Sequence, residues 1–104
     1  MTTFDDREKA FEDKYKHDQE LQFRVEVRRN KLLGLWAAEL LSKDDAEAYA
    51  NEVVSAKFEE PGDADLVHKI LGDLQNGGIE MSEHRLRNKM KECLAEAKEQ
   101  VMKE

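Results

Sequence analysis

The chain has 104 residues, with 17 Lys or Arg against 24 Asp or Glu, a formal net charge of −7 with His neutral, and a mean hydropathy of −0.84. At this length one domain is expected, with a thin apolar core under a heavily solvated surface. The acidic balance argues against nucleic acid, whose phosphates are held by clustered cations. The single cysteine, Cys93, closes no intrachain disulfide and provides no thiolate zinc cage. No apolar run approaches the ~20 residues of a membrane span, since the longest, Leu32 to Leu41, is broken by Gly34 and Glu39. The opening Met1-Thr2-Thr3-Phe4-Asp5-Asp6 is too acidic for a targeting peptide. A soluble, cytoplasmic protein without membrane insertion is the expectation.

Helix formers dominate, no useful strand alternation appears, and the only proline is Pro61. Three punctuation points cut the chain into four helices. At Ser42-Lys43-Asp44-Asp45, Asp44 is the expected N-cap, with Glu47 completing a capping box. At Glu60-Pro61-Gly62-Asp63 the proline cannot join a helix ladder, and Asp63 is placed to cap the third helix. Asn76-Gly77-Gly78 is a C-terminal stop, and Ser82 is the next cap.

The first helix runs to about Leu41 with Leu21, Val25, Leu32, Leu35, Trp36 and Leu40 as its stripe. The second, about 45–58, presents Ala46, Tyr49, Ala50, Val53 and Val54. The third, about 64–75, carries Leu66, Val67, Ile70, Leu71 and Leu74. The fourth, about 83–102, carries Leu86, Met90, Cys93, Leu94, Ala97 and Val101. Short connections predict antiparallel neighbours in chain order, and so an all-α four-helix bundle over residues 19–104.

Residues 1–18 differ. Their sizeable apolar side chains are Phe4, Phe11 and Tyr15, set among ten charged residues, too few to offset the entropy of ordering a free segment. Yet the segment is helix-competent: Thr3 with Asp6 resembles a capping box, and Phe11 and Tyr15 share a face, with Phe4 two turns earlier. A mobile arm that folds on a partner is expected. Helical throughout from Phe4 to Leu41, it would reach ~55 Å, well beyond the bundle.

No catalytic constellation stands out, and an enzyme is not expected. Cys93 lies on the apolar stripe of the last helix, as a packed thiol does. His17, His68 and His84 are too scattered for a local metal motif. Asp44 with Asp45 and Glu59 with Glu60 fall at helix ends, where capping accounts for them, and Gly77-Gly78 lacks the Lys-Ser/Thr of a phosphate loop. Arg28-Arg29-Asn30-Lys31 concentrates positive charge inside the first helix. It is either a solvated face pairing with local carboxylates or an anion contact, to a nucleotide phosphate or an acidic partner surface. Gly34, costly in a helix interior, implies close approach of another helix.

The run Arg28-Arg29-Asn30-Lys31-Leu32-Leu33-Gly34-Leu35-Trp36-Ala37-Ala38-Glu39, together with the opening Met1-Thr2-Thr3-Phe4-Asp5-Asp6-Arg7-Glu8 and with Phe58-Glu59-Glu60, resembles the ATPase inhibitor zeta subunit of alphaproteobacterial F-type ATP synthases, over essentially the whole chain. The resemblance implies a four-helix bundle preceded by an inhibitory segment. That segment would bind F1 at an interface between alpha and beta subunits, reach toward the gamma subunit of the central stalk, and block ATP hydrolysis. By position the inhibitory residues are Thr2, Thr3, Phe4, Asp5, Arg7, Lys9, Phe11, Lys14 and Tyr15, with the aromatic residues as anchors and the basic ones as salt partners. The resemblance also implies weak ATP or ADP binding by the bundle, for which Arg28, Arg29 and Lys31 are the candidate contact. A monomer when free is expected, since no second apolar face is evident. A helical adaptor and a weak nucleotide-sensing regulator are the alternatives.

Overall fold

A computed structural model describes residues 3–56 and 62–104, with side chains from residue 19 onward. Four helices make up the fold: α1 (Thr3–Leu40), α2 (Ala46–Ser55), α3 (Ala64–Asn76) and α4 (Glu83–Lys103). No strand occurs among the described residues, and none of their helices is long and apolar enough to cross a membrane.

The expectation of neighbours in chain order needs correcting. α1 is the hub, packing chiefly against α2 and α4, whereas α3 meets α4 and α1 less closely. α4 runs antiparallel along α1: Lys89 sits over the Trp36 ring at 5.7 Å, Arg28 bonds Gln100 at 2.9 Å, and Arg24 pairs with Glu104 at 2.6 Å. Between the sequential helices α2 and α3 the ties are polar. The Tyr49 hydroxyl donates to Asp73 Oδ2 at 2.8 Å, and Lys69 reaches Glu52 at 3.2 Å and Asp73 at 3.3 Å.

The core joins Leu33, Ala37 and Ala38 of α1 to Tyr49 and Val53, to Leu66, Val67, Ile70 and Leu74, and to Leu86, Met90 and Cys93. The expected apolar faces of α2, α3 and α4 are the buried ones, with Ala46, Val54, Leu71 and Leu94 at their half-buried edges. The stripe on α1 is displaced. Its buried centre is Leu33, Gly34, Ala37 and Ala38, while Leu21, Val25, Leu32, Leu35 and Trp36 flank it and Leu40 is exposed. Small residues take the centre because α2 comes so close: a Cβ on Gly34 would lie 2.8 Å from the Ala50 Cα. The approach inferred from Gly34 is therefore that of α2.

The turns obey local chemistry, with two corrections. Asp45, not Asp44, caps α2, its carboxylate accepting from the Ala48 amide at 3.0 Å, so the Asp44–Glu47 box is not the device used. Asp63 occupies the cap position of α3 but makes no side-chain capping bond, because its carboxylate is directed to Arg29. Ser82 caps α4 as expected, accepting from the Arg85 amide at 3.1 Å. The Gly77-Gly78 stop is a Schellman turn: Gly78 takes φ +79°, its amide donates to Gln75 O at 3.0 Å, and the Ile79 amide donates to Leu74 O at 2.9 Å. α1 ends in the same way, with Ser42 at φ 54° in place of glycine.

Candidate partner-binding sites on the long helix

The arm residues Thr3, Phe4, Asp5, Arg7, Lys9, Phe11, Lys14 and Tyr15 all belong to α1. Their side chains, the Thr3–Asp6 box, His17 and residue Thr2 lie outside the described residues. What the backbone does provide is length. α1 has 38 residues, about 57 Å at 1.5 Å per residue, against 21 residues for α4. The last residue after α4, Glu104, is at the level of Arg24 and Arg28. The helix therefore begins about 30 Å before the level at which its antiparallel partner stops.

Arg28, Arg29 and Lys31 are brought into different surroundings. Arg28 donates to Gln100 Oε1 at 2.9 Å and ion-pairs with Glu104, which Arg24 also holds. The Arg28 bond, aided by Arg24, holds the Glu104 carboxyl below its usual range. Arg29 forms a two-pronged pair with Asp63, at 2.9 and 3.3 Å, with its side chain only 11% exposed. This bond crosses from the middle of α1 to the start of α3. Lys31 is half-buried and makes no ion pair among the described residues. The guanidinium donors of Arg28 and Arg29 are used within the chain, by Gln100 and Glu104 at the far end of α4 and by Asp63 at the start of α3 rather than by local carboxylates.

A second basic stretch is easily overlooked in the sequence. Residues 83–91 hold Arg85, Arg87, Lys89 and Lys91 with Glu83 as their sole acidic residue, and the signal is masked by the larger excess of acid elsewhere in the chain. α4 carries this stretch beside α1. Trp36, Arg85 and Lys89 line one side of it; Arg29, His84, Arg87 and Lys91 line the other.

Other chemistry-bearing groups are taken up by packing. Cys93 is 3% exposed, and burial pushes its thiol pKa up, away from nucleophilic use. Tyr49 has its hydroxyl pKa raised, first by burial and then by its bond to Asp73. No group of three or more His, Cys, Asp or Glu that could hold a metal occurs among the described residues.

By its architecture the molecule is a small helical bundle built on one helix much longer than the bundle requires. The sequence model for ATPase inhibitor subunit zeta matches residues 1–100, and the chain belongs to that family. Membership places it among ATPase inhibitors, a regulatory rather than catalytic class associated with ATP synthase. Four solved chains match. One of them, a solution NMR structure, is 48% identical, with a TM-score of 0.69 over 80% of this chain and 96% of its own. No curated protein sequence matches.

Proposed function

We propose that this chain restrains ATP hydrolysis by the F1 sector of ATP synthase, residues 1–18 entering an interface between alpha and beta subunits and reaching toward gamma, while residues 19–104 anchor it outside. The observation that carries the reading is α1 itself, which starts at Thr3 and runs without a break into the core. A helix docked by its N-terminal half would thereby be continuous with a folded body. A rotary interface has to open and close in each cycle, and a helix wedged into it would stabilise one closed state. Phe4, Phe11 and Tyr15 would supply the apolar contact, at roughly 1.5–3 kcal/mol each when fully buried, less the cost of ordering the segment. Arg7, Lys9 and Lys14 would meet carboxylates of the partner, and Thr2, Thr3 and Asp5 would form its leading end.

Weak ATP or ADP contact at Arg28, Arg29 and Lys31 would compete with Gln100, Glu104 and Asp63 for the two guanidinium groups. Binding that leaves the Arg29–Asp63 pair in place would have to use other donors.

The test is ATP hydrolysis by F1 titrated with the intact chain and with its Phe4→Ala/Phe11→Ala/Tyr15→Ala variant. The reading predicts at least a tenfold rise in the half-inhibitory concentration of the variant, with unchanged helicity of the body. Equal inhibition by both chains contradicts it.

A further inference from the structure

In a chain of net charge −7, Arg29 of α1 is brought beside the basic stretch Arg85–Lys91 of α4, more than fifty residues away in sequence. Between them runs an open groove of about 400 Å³, its cationic wall formed by Arg29, Arg87 and Lys91, with His84 beside them, and its apolar floor by Met90 and Leu94. Asp63 is its acidic lining residue, and it is already bound to Arg29. Among the described residues Arg87 and Lys91 are less committed. Arg87 has a side chain 47% exposed and only a 3.5 Å contact with Glu83, and Lys91 is exposed and forms no ion pair among the described residues.

His84, Arg87 and Lys91 stand at i, i+3 and i+7, one row along a helix face about 10 Å long. Leu94 continues the row by one more step. We infer that this groove docks an acidic amphipathic segment of the partner ATPase, its carboxylates meeting Arg87 and Lys91 and its apolar side chains meeting Leu94. The spacing favours a polypeptide over a compact phosphate: the cations are strung along the helix rather than converging on one point, and the most buried of them, Arg29, is occupied by Asp63. This rests on the proposed F1 binding, and it adds a second attachment, on the body, to the one made by the arm. Charges at the rim of an interface act chiefly on the rate of association and its salt dependence, so the groove would guide the body into place while the arm supplies the block.

The test uses the intact chain, its Arg87→Gln/Lys91→Gln variant and a control, Lys98→Gln/Lys103→Gln, that removes the same charge from the far end of α4. Inhibition of F1 is titrated at several ionic strengths. The groove variant is expected to need about tenfold more protein at low salt, with the difference shrinking as salt rises and maximal inhibition unchanged; the control should track the unaltered chain. Groove and control variants that behave alike overturn the inference, as does a loss that is the same at every salt concentration. A chain that fails to inhibit F1 at all overturns the proposed function instead. In that case an NMR titration decides the groove, using a synthetic helical peptide of Glu and Leu with ATP and inorganic phosphate as separate arms. Amide shifts confined to residues 84–94 and reached at lower concentration with the peptide support it. Stronger binding of ATP or phosphate, or no shift there, overturns it.

Discussion

Over residues 28–40, α1 is covered on two sides, by α2 across Gly34 and by α4 along Arg28 and Trp36. Over residues 3–23 the same helix continues past the level at which α4 ends. The two halves differ in composition as they do in surroundings. The first of these stretches alternates small and large apolar residues, Leu32, Leu33, Gly34, Leu35, Trp36, Ala37 and Ala38, while the other is dominated by charge with three widely spaced aromatic residues up to Tyr15. The contrast teaches where stability lies: it is concentrated in the half whose side chains interlock, and under the proposed function the other half would be the one that binds. Substitutions in the covered half should therefore act on folding, and substitutions in residues 1–18 on inhibition.

The largest effect is expected at Leu33, which is fully buried. Leu33→Ala should lower unfolding free energy by about 2–5 kcal/mol, measured by urea denaturation. Gly34→Ala comes next. Alanine has better helix propensity by about 1 kcal/mol, but its Cβ would stand 2.8 Å from backbone of α2. Because backbone cannot swing aside as a side chain can, overpacking should prevail with a net loss of about 1–3 kcal/mol. A rise in thermal midpoint for Gly34→Ala would show that α1 and α2 are not held at this distance.

Arg29→Ala is expected to cost less, about 1–2 kcal/mol. The pair it breaks is well covered on the arginine side, but Asp63 is 42% exposed and, once released, is positioned to take up the capping of α3 that it now forgoes. Adding Asp63→Ala should then remove part of the remaining stability, a coupling that a double-mutant cycle reads directly.

The smallest effect belongs to Glu104, whose carboxylate bridges Arg24 and Arg28 at an exposed site. Its pKa in the folded chain is lowered, so its contribution is present above the ordinary carboxylate range and is lost as pH falls through the lowered value. Glu104→Gln should flatten that part of the stability–pH profile and reduce its salt dependence.

How far the sequence can be read depends on the same division between the two halves of α1. Helical period and punctuation are enough to place α2, α3 and α4, because one face of each is buried and its apolar residues mark that face. α1 is harder. It is gripped from two directions, so its centre is set by small residues that an apolar count passes over, and Gly34 is the one clear sign. The choice between Asp44 and Asp45 as cap depends on backbone angles that adjacent acidic residues do not reveal. The pairing of Arg29 with Asp63 spans 34 residues and is fixed by tertiary packing, as is the placing of Arg29 beside the basic stretch of α4. Residues 1–18 are set apart by composition alone, since α1 runs through residue 18 without a break.

Under the proposed function, the N-terminal half of α1 and the folded body are separable. The direct measurement is ATP hydrolysis by F1 in the presence of the intact chain or of residues 19–104 alone, with binding of each followed in parallel and the shortened chain first checked for helicity and cooperative unfolding. Residues 19–104 are expected to fold and associate with F1 but leave hydrolysis running, while the intact chain slows it. Inhibition by residues 19–104 equal to that of the intact chain would contradict it.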